Sequence, residues 1–289
     1  IEEAGIHSGD SACVLPPYKI SNQSLDEIKK ITEQLSLKLK VKGLINIQFA
    51  YKNKKVYVLE VNPRASRTIP FVSKTTNTPL AKIAAQIAGG AKLNDFKLKD
   101  WRYYKHIAVK EAVLPFNKFP EESIFLSPEM KSTGEVMGIS KTMGESFLRA
   151  SISAGNNLPK NGKVFISVND GDKKAMIPIA KKLNDMGFTI IATAGTSILL
   201  NENGMNTERI YKVGEGRPNV VDGIKNGEIN LVINTPLGAQ SRFDEEAIGK
   251  ACIKKGILAI TTLSGANAAV DAVSHKDDYS VKSIQDYHN

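Results

Sequence analysis

Only two cysteines occur in the 289 residues, Cys13 and Cys252, far apart and in no metal-ligand spacing, which leaves neither a disulfide framework nor a thiolate metal site. Reduced, buried thiols without redox chemistry are expected. No apolar run approaches the length that spans a bilayer, and no signal-peptide pattern is seen at the start of the sequence, so no membrane partner and a cytoplasmic location are expected. An initiating methionine is also missing: Ile1-Glu2-Glu3-Ala4 begins inside what reads as a structural unit, and a fragment is expected. The net charge is +9, yet the lysines are scattered along amphipathic segments rather than interleaved with aromatics on one stripe. Nucleic-acid binding is therefore not expected, and anionic small molecules account for the surplus. What remains is a chain of one or two domains, 42% hydrophobic, able to bury its cores without staples.

Chemistry concentrates between Leu44 and Arg67. Leu44–Tyr51 and Val56–Asn62 are rich in β-formers and are separated by the polar turn Lys52-Asn53-Lys54-Lys55, which predicts a hairpin. With side chains alternating, Asn46 and Gln48 share one face and Glu60 and Asn62 share one face, so oxygen donors from Gln48, Glu60 and Asn62 converge. The other faces, Ile45, Ile47 and Phe49 with Tyr57, Leu59 and Val61, are expected to pack on a core. A carboxylate with neutral amide oxygens suits Mg²⁺ or Mn²⁺, whose shell is completed by substrate phosphates and water. Arg64 and Arg67 follow at once, and their planar forks suit phosphate or carboxylate oxygens. A solvated hairpin face with Glu60 paired to a lysine of the turn is the bland alternative for that residue.

Further along, Ser24-Leu25-Asp26-Glu27 reads as a capping box that opens a helix with Leu25, Ile28, Ile31, Leu35 and Leu39 on one face. Thr78-Pro79 opens another, Leu80–Ala88, stopped by Gly89-Gly90, whose small residues predict tight packing. The pattern weakens from Ala91 to about Lys160, apart from a strand at His106–Leu114, and the Asn156–Gly162 stretch has linker composition. A boundary near residue 155 is expected. Beyond it, apolar runs at Val164–Val168, Thr189–Ala192, Ile229–Ile233 and Ile257–Ile260 alternate with helical segments at Lys173–Met186, Ser197–Asn203, Phe243–Lys255 and Gly265–Val273. That alternation predicts a parallel sheet with helices on both faces. Pro178 is expected to kink the first of these helices.

In such sheets ligands bind at the carboxyl ends of the strands, where helix N-termini present amides to anions. Lys173 follows the first strand, Thr193 and Thr196 the second, Lys212 ends a short strand after it, and Asn234 follows another. Hydroxyls, glycine-exposed amides and ammonium groups at these places predict a phosphate pocket. Ordinary turn chemistry explains each loop alone and their joint placement less well.

The runs Gly5-Ile6-His7-Ser8-Gly9-Asp10-Ser11-Ala12 and Glu60-Val61-Asn62-Pro63-Arg64-Ala65-Ser66-Arg67-Thr68, with Gln48, strongly resemble the second ATP-grasp unit of the carbamoyl phosphate synthetase large-chain family. Pro115–Pro120 and Ser132–Gly138 resemble its next segment, and the likeness runs through residue 289. The resemblance implies α/β and α+β folds: residues 1–115 as the end of an ATP-grasp domain, 116–155 as a connection, and 156–289 as a methylglyoxal synthase-like allosteric domain. It implies an ATP-dependent carbon–nitrogen ligase that phosphorylates carbamate to carbamoyl phosphate, for arginine and pyrimidine biosynthesis. ATP and Mg²⁺ or Mn²⁺ would be its cofactors, with Gly5, Ile6, His7, Ser8, Gln48 and Glu60 at the nucleotide, Gln48, Glu60 and Asn62 at the metal, and Arg64 and Arg67 at carbamate and the transferring phosphoryl group. Bicarbonate, ammonia and a small glutaminase subunit are its implied partners, in an oligomer. A UMP- or IMP-type effector is implied at Lys173, Thr193, Thr196, Lys212 and Asn234, and Glu2, Asp10, Glu111 and Thr261 match an ornithine site in which Ala259 replaces a tyrosine. A glycine-rich lid and adenine-binding lysine are absent before residue 48, so the chain alone is expected to be inactive. The competing expectation is a regulatory nucleotide-binding module without catalysis.

Overall fold

The computed structural model describes residues 1–2, 5–17, 19–98, 104–119, 126–235, 239–275 and 281–288, the side chains of 239–242 excepted. It divides into two compact units that do not follow chain order: residues 14–108 with 282–289, and residues 1–13 with 109–281.

In the first of these, α1 (Asn22–Lys38) begins earlier than the capping-box reading predicts. Ser21, not Ser24, is the N-cap, because its hydroxyl accepts from the Ser24 amide. The hairpin forms from β2 (Asn46–Lys52) and β3 (Lys55–Asn62). Lys54 and Asn53 take positive φ in its turn. A register shift lies between Gln48 and Phe49, so Gln48 pairs with Glu60 but Phe49 pairs with Val58, leaving Leu59 as the extra residue. This overturns the expected apolar face. Tyr57 stands across from Ala50, and Tyr57 and Leu59 are about half exposed, at 49% and 50%. Two short helices follow, α2 (Ile69–Thr76) and α3 (Leu80–Ala88). The second has the predicted bounds, with Gly89 at its end, but buries none of its residues, so the tight packing expected from its small side chains is absent.

The other unit contains most of a three-stranded sheet, ordered β1 (Cys13–Leu15), β4 (Ile107–Val113) and β5 (Gly134–Ser140), followed by α4 (Met143–Ser153). Both β5 and α4 fall where the sequence pattern is weak. Glycine makes their approach possible: a Cβ on Gly138 would lie 1.9 Å from the Ser146 carbonyl oxygen.

The chain then builds β6 (Lys163–Val168), α5 (Lys173–Asp185), β7 (Thr189–Ala192), α6 (Ala194–Glu202), β8 (Thr207–Arg209), α7 (Val220–Lys225), β9 (Leu231–Thr235), α8 (Ala239–Lys255), β10 (Ala259–Ile260) and α9 (Leu263–Val273). The strands form one parallel sheet ordered β10-β9-β6-β7-β8. Phe165, Ile191 and Val232 from the sheet and Val220, Ile224, Ile248 and Cys252 from α7 and α8 fill one side of its core. Pro178 sits inside α5, which runs unbroken around it. A Cβ on Gly144 of α4 would come within 2.6 Å of the Asp271 carbonyl oxygen, so a second glycine fixes how closely α4 meets α9. Among the described residues no helix is long and apolar enough to cross a membrane.

Candidate metal, phosphate and effector sites

The register of the hairpin brings the expected donors together. Gln48 lies directly across from Glu60 and Asn46 across from Asn62, and directly opposed residues of an antiparallel pair share a face. Glu60 is exposed and makes no ion pair with the lysines of the turn, whereas Gln48 and Asn62 are half-buried. One carboxylate with an amide across from it and further amides two rungs along, on the same face, is a hard donor set that fits Mg²⁺ or Mn²⁺, provided that phosphate oxygens and water complete the shell. The chain leaves β3 through a tight turn in which the Arg64 amide donates to the Asn62 carbonyl at 2.8 Å. Arg64 also donates from its guanidinium to the Ala65 carbonyl at 3.0 Å, and Arg64 and Arg67 are both exposed. The Ser66 hydroxyl is shielded and has no hydrogen-bond partner. Carboxylate, amides and two guanidiniums thus stand within one short stretch of a single unit.

Gly5, Ile6, His7 and Ser8 belong to the other unit. His7 caps the Ser8–Asp10 turn, its Nδ1 accepting from the Gly9 amide at 3.0 Å while its own amide donates to the Ser127 carbonyl at 2.8 Å. The Ser8 carbonyl accepts from Lys110 Nζ at 3.0 Å.

Lys110 is a group the sequence reading passed over. Its side chain is fully buried in β4, between the Ser8 carbonyl and a carboxylate oxygen of Glu135 at 3.2 Å. A buried ammonium needs both partners. Beside it Glu111 is partly exposed as a residue, but its Oε2 is shielded from solvent and unpartnered. Burial, reinforced by the charge of Glu2 and opposed by Lys110, pushes its pKa up to about 8. Glu2 accepts from the Ala12 amide at 2.6 Å, and burial raises its pKa too. Asp10, fully buried, accepts from the amides of Lys131 and Ser132 at 2.8 Å each; although burial acts in the opposite direction, these bonds hold its carboxyl below the ordinary range. Thr261 is exposed at the end of β10. Neither thiol is activated: burial pushes Cys252 up to about 12 and raises Cys13 as well.

At the carboxyl ends of the parallel strands, Ser167 of β6 pairs across the sheet with Asn234 of β9, and its hydroxyl lies 3.2 Å from that of Thr193, which ends the β7 connection into α6. Thr193 and Thr196 are buried, the latter accepting from the Val168 amide at 3.4 Å. Lys173, at the start of α5, reaches toward the first turn of α6, where a Cβ on Gly195 would meet its Nζ at 3.2 Å. The same ammonium is 2.7 Å from Asp170. Lys173, hydrogen-bonded to it, and more weakly Lys212, hold the Asp170 carboxyl below its usual range. Lys212 also opposes the burial that raises Asp244. It is exposed in the loop after β8, three residues beyond the strand it was expected to end. The remainder of the Asn234 loop, residues 236–238, lies outside the described residues. Ser167 was missed because nothing in a β-strand sequence announces which rung of a neighbouring strand it will face.

Five parallel strands thus carry cations and hydroxyls at their carboxyl ends, and the hairpin carries a carboxylate and amides just ahead of two arginines. Two family models match accordingly: the MGS-like domain over residues 175–261, and the carbamoyl-phosphate synthase L chain, ATP binding domain, over residues 2–96. All of the chain aligns with the carbamoyl phosphate synthase large chains of Acidobacterium capsulatum, 51% identical over 296 residues, and Pasteurella multocida, 50% identical over 289. It covers 27% of each. The carbamoyl phosphate synthase large chain, C-terminal section, of Aquifex aeolicus is 46% identical over 315 residues, and the chain covers 58% of it. The chain is therefore similar, along its whole length, to a carboxyl-terminal portion of carbamoyl phosphate synthase large chains, and it spans about a quarter of the length of most of these curated relatives.

Proposed function

We propose that this chain supplies part of the carbamate-phosphorylating site of an ATP-dependent carbon–nitrogen ligase, together with the domain that regulates it. The observation that carries this reading is the rung-to-rung pairing of Gln48 with Glu60, beside Asn62 and just ahead of Arg64 and Arg67. Gln48, Glu60 and Asn62 would hold Mg²⁺ or Mn²⁺, which when bound neutralises and orients ATP phosphates. Arg64 and Arg67 would orient carbamate and spread the charge of the transferring phosphoryl group. Phosphoryl transfer is catalysed mainly by positioning and charge stabilisation, so the chain needs no nucleophile of its own. His7 and Ser8, with Gly5 and Ile6, would contribute to the nucleotide site. Bicarbonate activation, and ammonia supplied by a small glutaminase subunit, belong to other parts of the complete assembly, whose product would feed arginine and pyrimidine synthesis in the cytoplasm. In domain terms, residues 1–115 would serve catalysis, 116–155 connect, and 156–289 bind the effector.

The effector reading is supported by the paired hydroxyls of Ser167 and Thr193, the ammonium of Lys173 over Gly195, and Lys212 close enough to act on the same aspartate. A nucleoside monophosphate of the UMP or IMP type matches this set through its phosphate. The test of the catalytic reading is ATP formation from carbamoyl phosphate and ADP by the complete enzyme carrying Glu60→Gln. Loss of activity with an unchanged melting temperature is expected, and near-parental activity would refute the metal assignment.

A further inference from the structure

Three consecutive carbonyl groups at the end of α2 accept from three side chains that come from far along the chain. His288 Nε2 donates to the Lys74 carbonyl at 2.8 Å, His106 Nε2 to that of Thr75 at 2.8 Å, and the Tyr104 hydroxyl to that of Thr76 at 2.7 Å. Because a carbonyl only accepts, both imidazoles carry a proton on Nε2. These are the orphan acceptors that every helix leaves in its last turn, here met by side chains rather than water. The rings also stack against one another: His106 and His288 lie edge-on at 5.2 Å, His106 and Tyr287 at 6.2 Å, and Tyr104 and His106 at 5.4 Å.

The helix held in this way starts at the arginine loop. The Ile69 amide donates to the Ser66 carbonyl at 3.2 Å and the Val72 amide to Thr68 at 3.0 Å, so the loop is bonded into the helix's first turn. The helix that joins loop to clasp is eight residues long, roughly 12 Å, short enough to move as one piece. Thr76, Tyr104, His106, Tyr287 and His288 also line an open cavity of about 1010 Å³, together with Lys82. Hydrogen bonds and ring contacts therefore hold the tail at the edge of that cavity.

We infer that Tyr104, His106 and His288 are positioning residues that act through α2 on Arg64 and Arg67, and that the carboxyl-terminal tail is a working part of the unit carrying the arginine loop. The step from α2 to catalysis rests on the role proposed above for those arginines. Two measurements on His288→Ala and His288→Gln test it. In the chain itself, hydrogen exchange of amides 75–78 is expected to quicken about ten-fold in the alanine variant and to return toward the parent in the glutamine variant, whose amide can donate to the same carbonyl. In the complete enzyme, the KM for carbamoyl phosphate in ATP formation is expected to rise about five-fold in His288→Ala with kcat within two-fold, and to be restored by glutamine. Parental exchange in His288→Ala, or faster exchange with an unchanged KM, would overturn the inference. A parental KM in Arg67→Ala would instead overturn the role of the arginines, leaving the clasp to be judged by exchange alone.

Discussion

The two candidate sites differ in how far the chain builds them. At the carboxyl ends of the parallel sheet, Thr193 and Thr196 are buried and already bonded within one packed unit. On the hairpin, Glu60 is exposed on a two-stranded sheet whose Tyr57, Val58 and Leu59 are exposed as well, and both arginines are exposed in the loop that follows. The difference teaches where binding energy would come from. A preorganised pocket loses little entropy when an anion arrives, whereas an open donor set becomes rigid only as ligand, metal and phosphates assemble on it. Substitutions in the first region should therefore register in affinity or folding, and substitutions in the second in turnover.

The largest expected effect breaks the comparison if it fails. Glu60→Gln should lower ATP formation by the complete enzyme by about a thousand-fold, comparable to losing a key charge-stabilising group, while the melting temperature is unchanged because the side chain is exposed. A thermal shift of several degrees would show that the hairpin face is structural after all.

Next in size is a pH effect in the packed unit. Glu111, with a pKa raised to about 8, binds its proton more tightly folded than unfolded, so its contribution is complete below the ordinary glutamate range and is lost as pH rises toward 8. A few kcal/mol of unfolding free energy, roughly what such a shift implies, should disappear over that window. In Glu111→Gln the slope should flatten, which urea titrations at pH 5 and pH 8.5 would measure.

A packing test follows. Gly138→Ala puts a methyl group 1.9 Å from the Ser146 carbonyl oxygen and should cost about 2 kcal/mol by forcing α4 off β5. Gly90→Ala in the other unit meets nothing within 4 Å, and its positive φ should cost about 1 kcal/mol. Equal losses in chemical denaturation would erase the distinction between the two regions.

The smallest effect sharpens the comparison. Lys212→Ala should weaken binding of UMP or IMP about ten-fold by calorimetry, the worth of one charge-assisted hydrogen bond to phosphate. Unchanged affinity would restrict the pocket to Lys173 and the threonines.

Local pattern made much of this legible. Thr189–Ala192 and Leu80–Ala88 form with the predicted bounds, and the run at Val164–Val168 is extended by one residue, because short apolar runs, a proline entry and a glycine exit act within a few residues. The donors Gln48 and Glu60 were visible for the same reason, since a short turn sets the hairpin's register. By contrast, α4, β5 and α7 were missed: their sequences mix small and polar residues, and tertiary contacts decide their conformation.

By itself the sequence determined the parallel-strand and hairpin patterns, the metal-suited donors and the phosphate-suited loops, all of which are encoded within a few residues of one another. Only the tertiary structure decided that Leu59 bulges out of the expected face, that Lys110 is buried against Ser8 and Glu135, that Ser167 faces Asn234, and that His288 returns to cap the far end of the helix that starts at the arginine loop. These depend on contacts between residues tens to hundreds of positions apart, and the free energy that selects them comes from packing and desolvation of the folded whole, which no local pattern carries.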